Sequence, residues 1–255
     1  NNLSLYSPGP ARQGEEAVIS ARGASRNGQQ QQLIDQAAKA MAWLQLGLQN
    51  KQQVKAQFAT VLIKLESVQA LQADKVQRRQ YQAFMRRLET HFLALEQQQP
   101  PSEQDITDLL AGLELLQRTT LLTRYWQPAH DTLEQARSEQ AQQWAEQSFS
   151  QAEQAVQNAE LQIQAKASAE QAADTGLRAL RLAQHALYIA REAKRLHQLS
   201  ELQAEQAALS FEELLHQLST ALDGEDRRHM SLYDQMLSIK QRLDEINANK
   251  AASPQ

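Results

Sequence analysis

Residues 29–97 read QQQQLIDQAAKAMAWLQLGLQNKQQVKAQFATVLIKLESVQALQADKVQRRQYQAFMRRLETHFLALEQ, with no proline and one glycine, Gly47. An uninterrupted stretch of good helix formers this long points to extended helices rather than to a compact enzyme core. Apolar residues step by three and four: Ile34, Ala37, Met41, Leu44 and Leu48, then Val54, Phe58, Val61, Leu65 and Val68, then Tyr81, Met85, Leu88, Phe92 and Leu95. That is the rhythm of a heptad seam. The phase change after Asn50 and Lys51 resembles a stutter. Residues 72–80 are polar, but no glycine or proline marks a turn there. The expectation is therefore one continuous helix, about 100 Å long at 1.5 Å per residue, rather than a hairpin.

Outward from this stretch the signals change. Gln97–Pro101 ends the helix, because proline restricts its predecessor and donates no backbone hydrogen bond. Ser102 then caps a new helix, with Asp105 three residues on. Ile106, Leu109, Leu110, Leu113 and Leu116 form its apolar face. Pro128, after Tyr125 and Trp126, predicts a turn near 127–129. Residues 130–173 are rich in alanine, glutamine and glutamate, with a weak seam through Leu133, Ala136, Phe149, Val156 and Ile163. Asp174-Thr175-Gly176 reads as a kink. A leucine seam follows through Leu177, Leu187, Leu202, Leu209, Leu214 and Leu218. A turn is expected near 223–225, then a last helix to about 248 and a frayed tail, 250–255. Toward the N-terminus, Pro8, Gly9, Pro10, Gly14, Gly23 and Gly28 cluster among serines and asparagines, which reads as a disordered polar arm, 1–28. No repeat with a period of 20 to 50 residues is visible beyond the heptads.

The expected fold class is all-α: an elongated helical bundle or coiled coil over 29–249, with long antiparallel helices and turns near 98–102, 127–129 and 223–225. Glutamine is about one residue in six and aromatics are 5 %, so the seams between helices should be thin.

Composition narrows function. A net charge of −4 argues against nucleic acid as a bulk electrostatic partner. The absence of cysteine removes disulfides and thiolate chemistry. No apolar run is long enough to span a bilayer. The chain does not begin with methionine, which reads as a removed leader or an excised piece; the compartment is left open, with secreted and periplasmic settings in view. No phosphate-cradling glycine loop or nucleophile elbow is present. The six histidines are dispersed, and the one Glu-x-x-His, Glu213 with His216, lacks the second copy that a two-metal bundle requires. No cofactor, metal or catalytic residue is expected.

What remains is interaction. Arg178, Arg181 and His185 fall on one helix face, with Tyr188 and Arg195 nearby. Such a face suits an acidic partner or anionic ligand, or simply pairs with neighbouring helices. Trp144 is the large aromatic in an alanine- and glutamine-rich segment, so it serves either as a binding anchor or as a core residue. In general character the chain is similar to bacterial secreted coiled-coil proteins, such as hydrophilic components of type III secretion systems. That likeness lies in its long helices and composition, and carries no site residues. The leading expectation is a non-enzymatic protein that binds other proteins, with homo-oligomers in view. Alternatives are an extracytoplasmic sensor domain, with a ligand pocket near Arg178 and Arg181, and, below it, a hydrophilic subunit of a helical pore-forming toxin.

Overall fold

The computed structural model describes residues 3–222 and 225–252, with side chains described through Asn249. Those residues form helices and no strand, so the protein is all-α. The first elements are α1 (Leu3–Tyr6), α2 (Pro8–Arg26), α3 (Gln30–Gln57), α4 (Ala59–Ala70), α5 (Ala73–Val76) and α6 (Arg78–Glu96). The expected arm is thus helical from Leu3, in α1 and α2. Proline at the first helical position costs no hydrogen bond. Pro10, Ala17, Ala21 and Ala24 then make a narrow buried stripe. Glycine and proline content hid this stripe, because alanine at helical spacing is a weak signal. Gly14 lets α2 lie close to Trp43, whose Cβ would stand 3.6 Å from an added Cβ. The chain reverses at Gly28, in the left-handed region at φ 69°, and α2 and α3 run antiparallel.

The single long helix expected over 29–97 is broken three times, at Phe58, at Gln72 and at Gln77 (φ −120°, ψ 46°). At Phe58 the backbone leaves helical geometry (φ −108°, ψ 22°) and the buried ring packs edge-on to Phe92, centroids 5.1 Å apart. At Gln72 it enters the left-handed region (φ 57°) and folds back, so that α6 returns alongside α4. Gln69 Nε2 donates to Tyr81 Oη across this hairpin, at 2.8 Å. The turn near 98–102 is present. Gln98 is left-handed (φ 61°), and Ser102 caps α7 (Glu103–Leu121) in a reciprocal box with Asp105.

No turn occurs at 127–129. A π turn, Leu122–Trp126, carries α7 directly into α8 (Gln127–Ser138). Pro128 falls in the first turn of α8, where its missing N–H is tolerated, and the wider π turn absorbs the local mismatch. The chain reverses again at Gln140 (φ 64°), passes α9 (Ala141–Trp144) and returns in α10 (Glu146–Gln164). After Lys166 (φ 63°), Ser168 caps α11 (Ala169–His197) in a second box, with Gln171. The kink expected at Asp174–Gly176 is absent: α11 runs through it. Last come α12 (Glu201–Leu222) and α13 (Leu232–Ala252). The turn expected at 223–225 falls partly outside the described residues, and so does most of the expected tail, 250–255.

These breaks recur. Gln72 and Gln98 are followed, 68 residues on in each case, by Gln140 and Lys166. Buried residues repeat with the same step: Val61 with Ala129, Leu65 with Leu133, Val68 with Ala136, Ala73 with Ala141, Leu88 with Val156 and Leu95 with Ile163. The serine caps are 66 residues apart, because the second copy lacks the Pro100–Pro101 pair. Two similar units follow, one of α4–α7 and the other of α8–α11. In each, the second helix runs antiparallel to its neighbours and the third runs parallel to the first. In each, a basic side chain from the third strand of helix caps the carbonyl just before the left-handed glutamine. Arg124 Nη1 donates to the Leu71 carbonyl at 3.1 Å, and Lys194 Nζ donates to the Glu139 carbonyl. The period exceeds the 20 to 50 residues of familiar repeats, and the copies share burial and backbone more than side chains.

The two cores differ in kind. The first contains Phe58, Phe84, Leu88, Phe92, Leu109 and Leu113. The second is built largely of alanine, including Ala129, Ala136, Ala152, Ala183 and Ala186. Small residues let helices approach. At Gly176 the neighbour is backbone: an added Cβ would lie 2.6 Å from the Tyr125 carbonyl oxygen.

A left-handed glutamine is strained by about 1–2 kcal/mol, while glycine there loses part of that gain to the unfolded chain. Gln72→Gly is therefore expected to raise stability by up to about 1 kcal/mol. Gln72→Val should lower it. Urea midpoints of the three proteins check both signs.

Candidate functional site

Four of the five residues nominated from sequence lie along α11, and the fifth, Trp144, lies in α9. Arg178, Arg181 and His185 all lie exposed on α11. Arg178 lines a small open groove between α10 and α11, with Gln151, Gln154, Asn158, Thr175 and Leu182. Arg181 donates weakly to the Leu177 carbonyl of its own helix, at 3.4 Å. Neither arginine has an ion-pair partner among the described residues. Arg195 is paired with Glu192 one turn earlier on the same helix. The face is therefore basic and partly unpaired near Arg178, and neutralised near Arg195.

Trp144 is half-buried. It packs on the alanine core of the second unit, and its ring lies 5.2 Å from that of His197. Trp126 is likewise half-buried and stacks on His130 at 4.5 Å.

Next to Arg195, Arg191 grips Glu139 with two hydrogen bonds, Nε to Oε2 at 2.7 Å and Nη2 to Oε1 at 2.5 Å. That guanidinium lowers the Glu139 carboxyl from its ordinary 4.5 to about 2. Because the folded value lies below the unfolded one, the bridge contributes fully above about pH 4.5 and fades as pH falls toward 2. Glu139→Gln is expected to flatten the melting temperature between those limits and leave the profile above pH 5 parallel to the original. Scanning calorimetry across that range measures it.

His216 and Glu213, the Glu-x-x-His of α12, form no metal cluster, and no group of three candidate ligands occurs among the described residues. His216 Nδ1 instead lies 3.8 Å from Asp226 in the segment between α12 and α13. There the buried Arg227 ties the hairpin together. It donates to Ser219 of α12 and Ser238 of α13, and pairs with Glu225.

The more prominent surface was hidden in the seams themselves. On α3, Ile34, Met41, Leu44 and Leu48 keep heptad spacing, yet all are exposed, Met41 by 65 %. The covered side of α3 is a different one, with Leu33, Ala40, Trp43 and Gly47; Trp43 lies against Gly14 of α2 and Gly47 against Leu3 of α1. Helix α3 thus has two apolar faces, one covered and one open. Between α2 and α3 runs an open groove of about 670 Å³, lined by Pro10, Val18, Ile19, Met41 and Leu44, with Glu15 and Arg22 at its margin. At the other end of the chain, α12 shows the same feature. Leu202, Leu209, Phe211, Leu214 and Leu218 are exposed, Leu202 by 65 %. Its first half is almost wholly uncovered, and it meets α13 mainly through its second half. Sequence spacing detects an apolar stripe but not whether the same chain covers it.

No helix is long and apolar enough to cross a membrane among the described residues. No protein-family model, no curated protein and no solved structure matches this chain.

Proposed function

We propose that this protein is a non-enzymatic helical scaffold that binds other polypeptides through the open apolar faces of α3 and α12. The observation that carries the reading is the exposure of five leucines and a methionine in pairs at helical spacing, Met41 with Leu44, Leu202 with Leu209 and Leu214 with Leu218. Exposed large apolar residues standing singly are ordinary, but stripes of them on long helices mark interaction surfaces. An amphipathic helix laid in a groove is a recurrent solution for such surfaces. A secretion-associated role is the version of this reading in which the partners are other parts of an export machinery; long helices and glutamine-rich composition support it.

Site-specific photocrosslinking tests the proposal. A photoreactive residue at Met41 or Leu209 should give discrete adducts with protein partners in producing cells. The same residue at exposed, polar Gln154 should give none. Absence of adducts from both apolar positions would sink the reading.

The groove at Arg178 supports a second reading, a sensor-type site for a small anion. Calorimetric titration with inorganic phosphate and with acetate would show saturable heat that Arg178→Ala abolishes.

A further inference from the structure

Each full unit brings three long helices together, whereas the two terminal hairpins bring only two. The N-terminal hairpin, α2 with α3, leaves a groove open along its length. The C-terminal hairpin, α12 with α13, leaves most of α12 bare. The two are opposite in charge. Residues 8–57 carry Arg12, Arg22, Arg26, Lys39, Lys51 and Lys55 against Glu15, Glu16 and Asp35, a net of +3. Helix α12 carries Glu201, Glu205, Glu212 and Glu213 and neither lysine nor arginine, a net of −4 with histidine neutral. Leu202 and Leu209, two turns apart, share one side of α12 with Glu205, Glu212 and Glu213, so that side presents apolar residues with acidic margins. The groove offers an apolar floor lined by Glu15 and Arg22, on a hairpin whose surplus charge is positive.

We propose that α12 of one copy of this protein seats in the α2–α3 groove of the next. The contact rests on the binding role assigned above to these two faces, and it names their partner as a second copy. It restores at the junction the three-helix packing found inside the chain, with Leu202 and Leu209 against Val18, Met41 and Leu44. The opposite net charges of α12 and the hairpin speed encounter. The contact is heterologous: it joins different surfaces of the two copies, so it propagates head to tail unless the rotation closes a ring. A repeat architecture suits such growth, since each unit needs only its neighbours.

Sedimentation velocity with light scattering on the whole chain decides it. Wild-type protein is expected to rise with concentration from 28.8 kDa to multiples of that mass, less so at high salt. Two double variants each remove one face: Met41→Asp with Leu44→Asp, and Leu202→Asp with Leu209→Asp. All four residues are exposed, so the melts should match wild type. Each variant alone should remain a single chain. An equal mixture should form a two-chain complex and stop there, because each copy retains one working face. A wild-type chain that stays single at every concentration overturns the proposal. So does a variant that still associates with itself, or a mixture that remains monomeric. If the wild type is single yet the photocrosslinks to other proteins persist, the binding role stands and only the identity of the partner falls.

Discussion

Gly176→Leu is expected to separate the third helix of the second unit from the junction between units, with a loss of several kcal/mol. The position tolerates no side chain. A Cβ there would sit 2.6 Å from the Tyr125 carbonyl oxygen, 2.7 Å from its Cβ and 2.9 Å from its carbonyl carbon. Two of these are backbone atoms of the π turn, which cannot swing aside as a flexible side chain would. Inserting even a few carbons into such a contact costs about 1–3 kcal/mol or more. Leucine gains back roughly 0.8 kcal/mol in helix propensity over glycine, which is too little to compensate. Gly176→Ala should fall in the same direction by a smaller amount. For a chain of this size each kcal/mol moves the melting temperature by about 2–4 °C, so thermal melts resolve both variants. A raised melting temperature for Gly176→Ala would mean that the π turn does not press on α11.

Leu187→Asp is the second large effect. Leu187 is buried in the alanine-rich core beside Ala183, Ala186 and Ala190. In that core leucine supplies much of the buried area, because alanine contributes little. Replacing leucine by a small residue in such a site costs about 2–5 kcal/mol, and the carboxylate adds a desolvation penalty of several more. The sum approaches the whole stability of an ordinary domain, about 5–15 kcal/mol. Loss of the cooperative melt, read by circular dichroism at neutral pH, is the expected result. Partial recovery at low pH, where the carboxyl is neutral, would identify charge as the cause. A melt indistinguishable from wild type would remove Leu187 from the core.

The helical class was legible from the sequence because it depends on propensity and spacing, which are local. So was the turn at 98–102, where a proline pair and a capping serine act on their immediate neighbours. The hairpins at Gln72 and Gln140 were not. Glutamine is a good helix former, and tertiary contacts hold these residues in the left-handed region: the helices that fold back, and the caps from Arg124 and Lys194. The leucine seams were legible as stripes, but α3 and α12 show that a stripe does not report its own coverage. Among the nominated residues, Arg178 and Arg181 keep accessible guanidiniums with no ion-pair partner among the described residues. Arg195 is neutralised by Glu192, and Trp144 is engaged with His197. The opposite charges of α12 and the N-terminal hairpin are present in the sequence, yet they acquire meaning only once both faces are seen to be open.

Residues 103–138 form one unbroken helical path, about 54 Å at 1.5 Å per residue, and it belongs to both units at once. It is the third helix of one and, past the π turn, the first helix of the other. A hinge between the units would have to break it. Twist or tension applied at one end of the paired units therefore reaches the other through a rigid axle rather than through a linker. The weakest point of that axle is the π turn pressed against Gly176, and under load it is there that the two halves should first lose step.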